Sequence, residues 1–313
     1  MKTENNRNLF YVATGLISSG LNSYDHSDAE ISALAKRICK SDISENIRFW
    51  FARAKTGQVE VNPYWPRGSA IIIACFFVKD GKFDIDACLS FFDSTGAMVD
   101  PIGADDFRAW IAELPKVLSY FEDSAFQPLW SEYCRIVDSR IPKWNLMIDE
   151  AINTAHGFFG ENAPIMTFAP NLFAAYNTDF VHIQNKIITI ASEPDIEGML
   201  HETLHPVVAL QRDKITAFSA ENGLSGFANR EKMMKYGYMV DDSVASIAHV
   251  IEECFVRAIS VVLSNKNDKR LQSHVEFGCD GVPFIAEQFI NISPTIENFG
   301  TFIDIVLYGS NQR

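Results

Sequence analysis

The stretch Lys186-Ile-Ile-Thr-Ile-Ala-Ser-Glu-Pro-Asp195-Ile-Glu-Gly-Met-Leu-His201-Glu-Thr-Leu-His205-Pro206 decides how the rest of this chain is read. Its first part, with Ile187-Ile188-Thr189-Ile190, is rich in β-branched residues and predicts a strand over Lys186–Ala191. Ser192-x-x-Asp195 then supplies capping residues, and Pro194 suits a first helical turn, where a missing N–H matters little. Met199, Leu200 and Leu204 give the following helix an apolar side. Two histidines four residues apart leave a helix from the same face, so His201 and His205 can reach one ion. Zinc favours imidazole and carboxylate donors in tetrahedral geometry, and a catalytic site keeps one position for water. Glu202, set beside the first histidine, can take a proton from that water without ligating. Two residues strain this reading. Gly198 costs a helix interior about 1 kcal/mol relative to Ala and predicts a close approach of another backbone or of substrate. Pro206 removes the bond to the Glu202 carbonyl, which predicts a kink or stop straight after His205.

On the N-terminal side, Ile165–Ala169 and Phe180–Ile183 read as extended, with Gln184 and Asn185 as a turn into the strand at Lys186. Residues before about 160 read as mostly helical. Ser27-x-x-Glu30 has the capping-box pattern, followed by Ile31, Leu34, Ala35 and Ile38 at helical spacing. Further helices are predicted over Ile43–Ala54, Asp105–Phe121 and Pro128–Ala155, with a loop over Thr56–Gly68. The character changes between Gly157 and Pro164. After the motif come a loop holding Gly223 and Gly226, a long helix Asp242–Leu263 capped by Asp241 and Asp242, and helices over Val282–Ile290 and Thr295–Leu307. The expected fold is α+β and mostly helical, with a small mixed β-sheet packed against the motif helix. The helical N-terminal region covers 1–160 and the motif-bearing region 161–313, as one continuous unit.

Composition removes several function classes. A net charge of −13 argues against a nucleic-acid partner, which needs a basic face to neutralise phosphates. The longest apolar run, Ala70 to Val78, is far shorter than the roughly 20 residues of a membrane span. Leu9 to Leu21 lacks the basic flank of a signal peptide, so the compartment stays open, with a cytoplasmic setting slightly favoured and an exported one if a leader has been removed. The six cysteines, Cys39, Cys75, Cys88, Cys134, Cys254 and Cys279, contain no C-x-x-C pair. They read as reduced core thiols and not as zinc ligands.

A third metal ligand must come from elsewhere. A third histidine six residues beyond His205 is absent, since Gln211 stands there. The helix Asp242–Leu263 offers Glu252 and Glu253. Val244, Ile247, Ile251, Phe255, Ala258 and Val262 define its apolar face; Glu252 borders that face, and Glu253 lies nearly opposite, with His249 and Arg257 one turn to either side. Such a polar stripe is the ordinary mark of a solvated face, and it equally suits a helix lining a cleft. Helical phase alone leaves both glutamates open and leans towards Glu252.

His201 to His205 followed by Pro206, the segment Glu253-Cys-Phe-Val-Arg257-Ala258, and faintly Leu16 to Asp25 resemble a bacterial family of gluzincin-type zinc metallopeptidases known only as a domain of unknown function. The resemblance implies a zincin active-site helix, one zinc ion, and Glu253, four residues before the arginine, as third ligand. The expected activity is hydrolysis of a peptide or protein substrate with Glu202 as general base. Tyr236, Tyr238, His249, His182 and Arg257 are candidates for the oxyanion or for outer-sphere support. An edge strand at Phe180–Ile183 or Lys186–Ala191 suits pairing with an extended substrate. The alternative is a non-catalytic binding or structural protein on a zincin scaffold. Retention of Glu202 weighs against it, because a purely structural site has no use for a base.

Overall fold

Asn6 starts the first helix, Arg7–Ser18, by accepting the Leu9 N–H on its side chain, and every residue from Leu9 to Ile17 is buried. In the computed structural model, which describes residues 3–20, 28–53, 67–94, 104–122, 124–174, 178–183, 186–235, 238–239, 241–265 and 268–309, the protein is α+β and mostly helical. It has a small mixed three-stranded sheet and a separate two-stranded hairpin, Val78–Lys79 with Lys82–Phe83. The chain forms two compact units. The first takes the described residues up to Ile148 together with Met166–Pro194; the second takes Asp149–Ile165 together with the described residues from Asp195 onward.

In the first unit the buried Arg7–Ser18 helix carries Gly15, and a Cβ there would lie 2.0 Å from the Phe51 ring. The glycine, unfavourable in a helix interior, is thus required by the aromatic edge packed onto it. Trp50 and Trp110 lock two helices, each indole N–H donating to the other's main-chain carbonyl at 3.2 Å. The sheet runs in the order Ile165–Pro170, Lys186–Ala191, Asp179–Ile183, so the Ile-rich strand is central and almost wholly buried. Phe180 opposite Thr189 and Val181 opposite Ile188 fix its antiparallel register with the outer strand. The turn expected at Gln184 and Asn185 lies outside the described residues, as do Ser27 of the expected capping box and 56–66 of the expected loop.

Several local expectations are corrected. Asp28, not the Ser27 pattern, caps Ala29–Cys39 by accepting the Glu30 and Ile31 N–H groups. Arg67 and Gly68 already belong to a helix, Arg67–Ala74. The single helix expected over Asp105–Phe121 is two, Ala104–Ile111 and Leu114–Phe121, with Pro115 in the first turn of the second, where its missing N–H costs least. The helix predicted to end at Ala155 continues as Gln127–Phe159, with Pro142 inside it.

The second unit is helical. Val244–Leu263 is its centre and packs against Ile196–Ala209, Arg212–Asn222 and Val282–Ile292, so almost every side chain from Ala248 to Val261 is buried. Phe158, Phe289, Phe299 and Phe302 form an aromatic cluster between the last helices. Arg212–Asn222, Arg230–Lys235 and Asp268–Phe277 were not expected as helices. The first buries only Ile215, Phe218 and Ser219, and the last only His274, so neither shows an apolar stripe in sequence. The helix predicted over Thr295–Leu307 begins as a short 3-10 turn, Ile296–Asn298, and continues as Phe299–Tyr308. No described helix is long and apolar enough to cross a membrane.

Candidate metal centre

The motif lies on Ile196–Ala209, whose N-cap is Asp195; its carboxylate accepts the Gly198 N–H at 2.9 Å. Pro194 therefore precedes the helix and does not sit in its first turn. A Cβ on Gly198 would meet only Asp195 atoms, at 3.6 and 3.9 Å, so the expected close backbone approach is absent among the described residues. The expected stop at Pro206 is also corrected, since the helix runs on to Ala209. Pro206 is on the exposed side, where water can satisfy the Glu202 carbonyl, while Leu204 and Val208 hold the buried side in place.

His201 and His205 point their Nε2 atoms to within 3.1 Å of each other, with rings nearly perpendicular. Glu253, from Val244–Leu263, places Oε1 3.6 Å from His201 Nε2 and Oε2 3.8 Å from His205 Nε2. Donors bonded tetrahedrally to zinc at about 2.0–2.1 Å stand about 3.3–3.4 Å apart, and one ligand atom from each of His201, His205 and Glu253 lies within 4.8 Å of the other two, a group that could hold a metal ion. Glu202 is buried, with Oε2 3.8 Å from His205 Nε2. Two imidazoles and one carboxylate are a donor set that could hold a metal ion.

Glu252, the competing third ligand, faces elsewhere. Arg212 Nε and Nη2 donate to its two carboxylate oxygens at 2.8 and 3.1 Å. Glu253 instead takes the i+4 arginine: Arg257 Nε and Nη2 both approach Oε1, at 2.8 and 2.7 Å. The polar stripe on this helix is thus not solvated; Glu253 is only 5% exposed. Tyr238 and Phe277 lie against the Arg257 guanidinium at 5.1 and 5.0 Å, cation–π contacts that hold it in place.

The electrostatics favour neutral histidines beside an ionised glutamate. Burial depresses the His201 imidazolium to about 3, outweighing the opposite pull of Glu253. Burial lowers His205 in the same way, with a further contribution from His249. Burial works against ionisation of Glu253, yet Arg257 and then the two histidines hold its carboxyl far below the usual range. Burial, followed by the Glu253 charge, raises the Tyr238 hydroxyl.

Of the other candidates, His249 stands one turn before Glu253, half-buried, and Tyr238 reaches the centre through Arg257. His182 belongs to the strand Asp179–Ile183 of the first unit, with its ring beside Phe180. Tyr236 lies outside the described residues. Asp241 and Asp242 do not cap the long helix. Ser243 does, accepting the Ser246 N–H, while Asp241 accepts the Ser243 N–H and Asp242 pairs with Arg230. All six cysteines are free thiols, four of them fully buried.

Sequence reasoning missed Glu197, His274 and Arg270. Glu197 lies one turn before His201 and is buried; His274 Nε2 stands 3.2 Å from its Oε1, and Arg270 Nε donates to both its oxygens at 2.9 and 2.8 Å. Against the pull of burial, His274 and Arg270 bring the Glu197 carboxyl down to about 2. The one available signal was spacing, a glutamate four residues before the first motif histidine. Compared with known proteins, the chain matches no family model, no curated protein and no solved structure.

Proposed function

We propose that this protein is a zinc-dependent hydrolase of the gluzincin type, cleaving peptide bonds in a peptide or protein substrate. The observation that carries the reading is the convergence of His201, His205 and Glu253 from two helices, with Glu202 buried beside them. His201 and His205 would hold the ion through Nε2, and Glu253 through a carboxylate oxygen. Bound zinc supplies a water whose pKa falls to near 7 and polarises a carbonyl. Glu202 would accept a water proton on a carboxylate oxygen and pass it to the departing amine. Arg257 keeps Glu253 ionised, and burial keeps both imidazoles neutral, the protonation states a cation needs.

The test is zinc per chain by mass spectrometry, in the protein and in His201→Ala and Glu253→Ala, with hydrolysis of a mixed peptide library by the zinc-loaded protein. Near-stoichiometric zinc, lost in both variants, is expected. Glu202→Gln should retain the metal and lose turnover by a factor of at least about 100, the lower range of a general base. Turnover that survives in Glu202→Gln removes the mechanism, and a wild type that stays empty in excess zinc removes the site.

A further inference from the structure

His274 is the sole buried residue of the helix Asp268–Phe277, and it stands between the two ligand-bearing helices of the second unit. Its Nδ1 is 3.1 Å from Arg257 Nη1, and its Nε2 is 3.2 Å from Glu197 Oε1. A guanidinium nitrogen can only donate, so Nδ1 accepts. The ring proton then sits on Nε2 and donates to Glu197. Its neighbours thereby fix one neutral tautomer.

The outer ends of this relay are set by helical periodicity. Glu197 lies one turn before His201, and Arg257 one turn after Glu253, each on the face of its helix that carries the ligand. Arg257 spends Nη1 on His274, which leaves Nε and Nη2 to converge on Glu253 Oε1. Two donors occupy that oxygen, and Oε2 is the one left to a cation. At the far end, Arg270 neutralises Glu197, so its buried carboxylate is not left unpaired.

We propose that Glu197, His274 and Arg257 form a buried brace that presents Glu253 to the metal through a single oxygen and fixes the spacing of the two ligand helices before metal arrives. His274 is a positioning residue in this arrangement, touching neither metal nor substrate. The proposal rests on the metal-site reading above. It adds that the site is preformed, and that metal affinity depends on a histidine about seventy residues beyond the motif.

Three variants test it: His274→Leu, His274→Gln and Arg257→Lys. Zinc affinity is measured by competition with a chromophoric chelator, site geometry by the visible spectrum of the cobalt(II)-substituted protein, and folding by thermal melting in excess chelator. Leu fills the space but leaves Arg257 Nη1 and Glu197 Oε1 facing an apolar side chain. Zinc affinity should fall about 10–100-fold, the usual effect of an outer-sphere partner, with a changed cobalt spectrum. Gln keeps the order, accepting from Arg257 and donating to Glu197, and should restore affinity and spectrum. Arg257→Lys keeps the charge but cannot address Glu253 and His274 together, so it should resemble His274→Leu even if that variant proves unstable. Wild-type affinity and spectrum in His274→Leu or in Arg257→Lys overturn the brace while leaving the metal site standing. A wild type that binds no zinc overturns both.

Discussion

Glu252 and Glu253 are adjacent, similarly buried and both paired with arginine, yet substitution by glutamine should separate them sharply. Each change preserves volume and removes one charge. Glu253 holds Arg257, whose side chain is 13% exposed and pressed against two aromatic rings, whereas Glu252 holds Arg212, which is half exposed. Removing one partner of a buried pair costs about 3–5 kcal/mol, because the remaining charge cannot return to water. The amide oxygen that the substitution introduces still accepts one bond, which puts Glu253→Gln at the low end, about 3 kcal/mol. Arg212 can turn outward, so Glu252→Gln should cost at most about 1 kcal/mol. Metal binding should diverge further. Loss of a ligand exceeds the 10–100-fold effect of an outer-sphere group, so Glu253→Gln should weaken zinc by more than about 100-fold. Glu252→Gln should stay within about threefold, under 1 kcal/mol. Urea unfolding in excess chelator reads the first difference, and zinc competition reads the second. Equal losses in the two variants, or a larger zinc defect in Glu252→Gln, would refute the assignment of Glu253 and the account of its ion pair.

Three further expectations follow from named contacts. His201 is held at about 3 in the folded metal-free protein against 6.5 when exposed, so below pH 6.5 the unfolded chain takes up a proton that the folded one refuses. That contribution to stability is complete above pH 6.5 and lost towards pH 3, at up to about 1.4 kcal/mol per pH unit. Asp179, raised to about 6 by burial, titrates with the opposite sign, so the diagnostic quantity is the difference between wild type and His201→Gln in urea series from pH 7 to 5. Parallel profiles would contradict a buried neutral His201. Gly15→Ala should destabilise by about 1–3 kcal/mol despite the better helix propensity, since its methyl would collide with the Phe51 ring. A thermal melt at or above the wild-type midpoint would show that the ring moves aside freely. Asp195→Ala should cost about 1 kcal/mol by uncapping the motif helix, and Asp195→Asn much less, as chemical denaturation can resolve. An equal loss in both would mean that the cap is not the cause.

The motif helix was legible in sequence because its determinants are local. The apolar side of Met199, Leu200 and Leu204 and the i, i+4 histidines act within a few turns of one chain segment, although the cap falls on Asp195 and not on Ser192. The strands at Ile165, Asp179 and Lys186 were legible for the same reason, as β-branched runs; the last two pair antiparallel. Pro206 was misjudged because its local penalty depends on exposure. At a solvent-facing position water can take the orphaned Glu202 carbonyl, and exposure is a property of the packed molecule.

The choice between Glu252 and Glu253 required tertiary structure outright. Helical phase placed Glu253 away from the apolar face and so towards solvent, but Val244–Leu263 is enclosed on nearly every side by neighbouring helices. Its polar face consequently turns inward, onto the histidines. Arg212, drawn from a helix with too few apolar residues to announce itself, removes Glu252 from contention. His274 was invisible for a related reason: its meaning comes from Glu197 and Arg257, which lie on other helices, and a lone histidine carries no periodic signal. The sequence by itself determined the chemistry of the ligands and the helix that presents two of them, because both are set by short-range geometry. The third residue of the candidate site and the side chains that hold it were decided by contacts between segments distant in the chain, which only packing brings together.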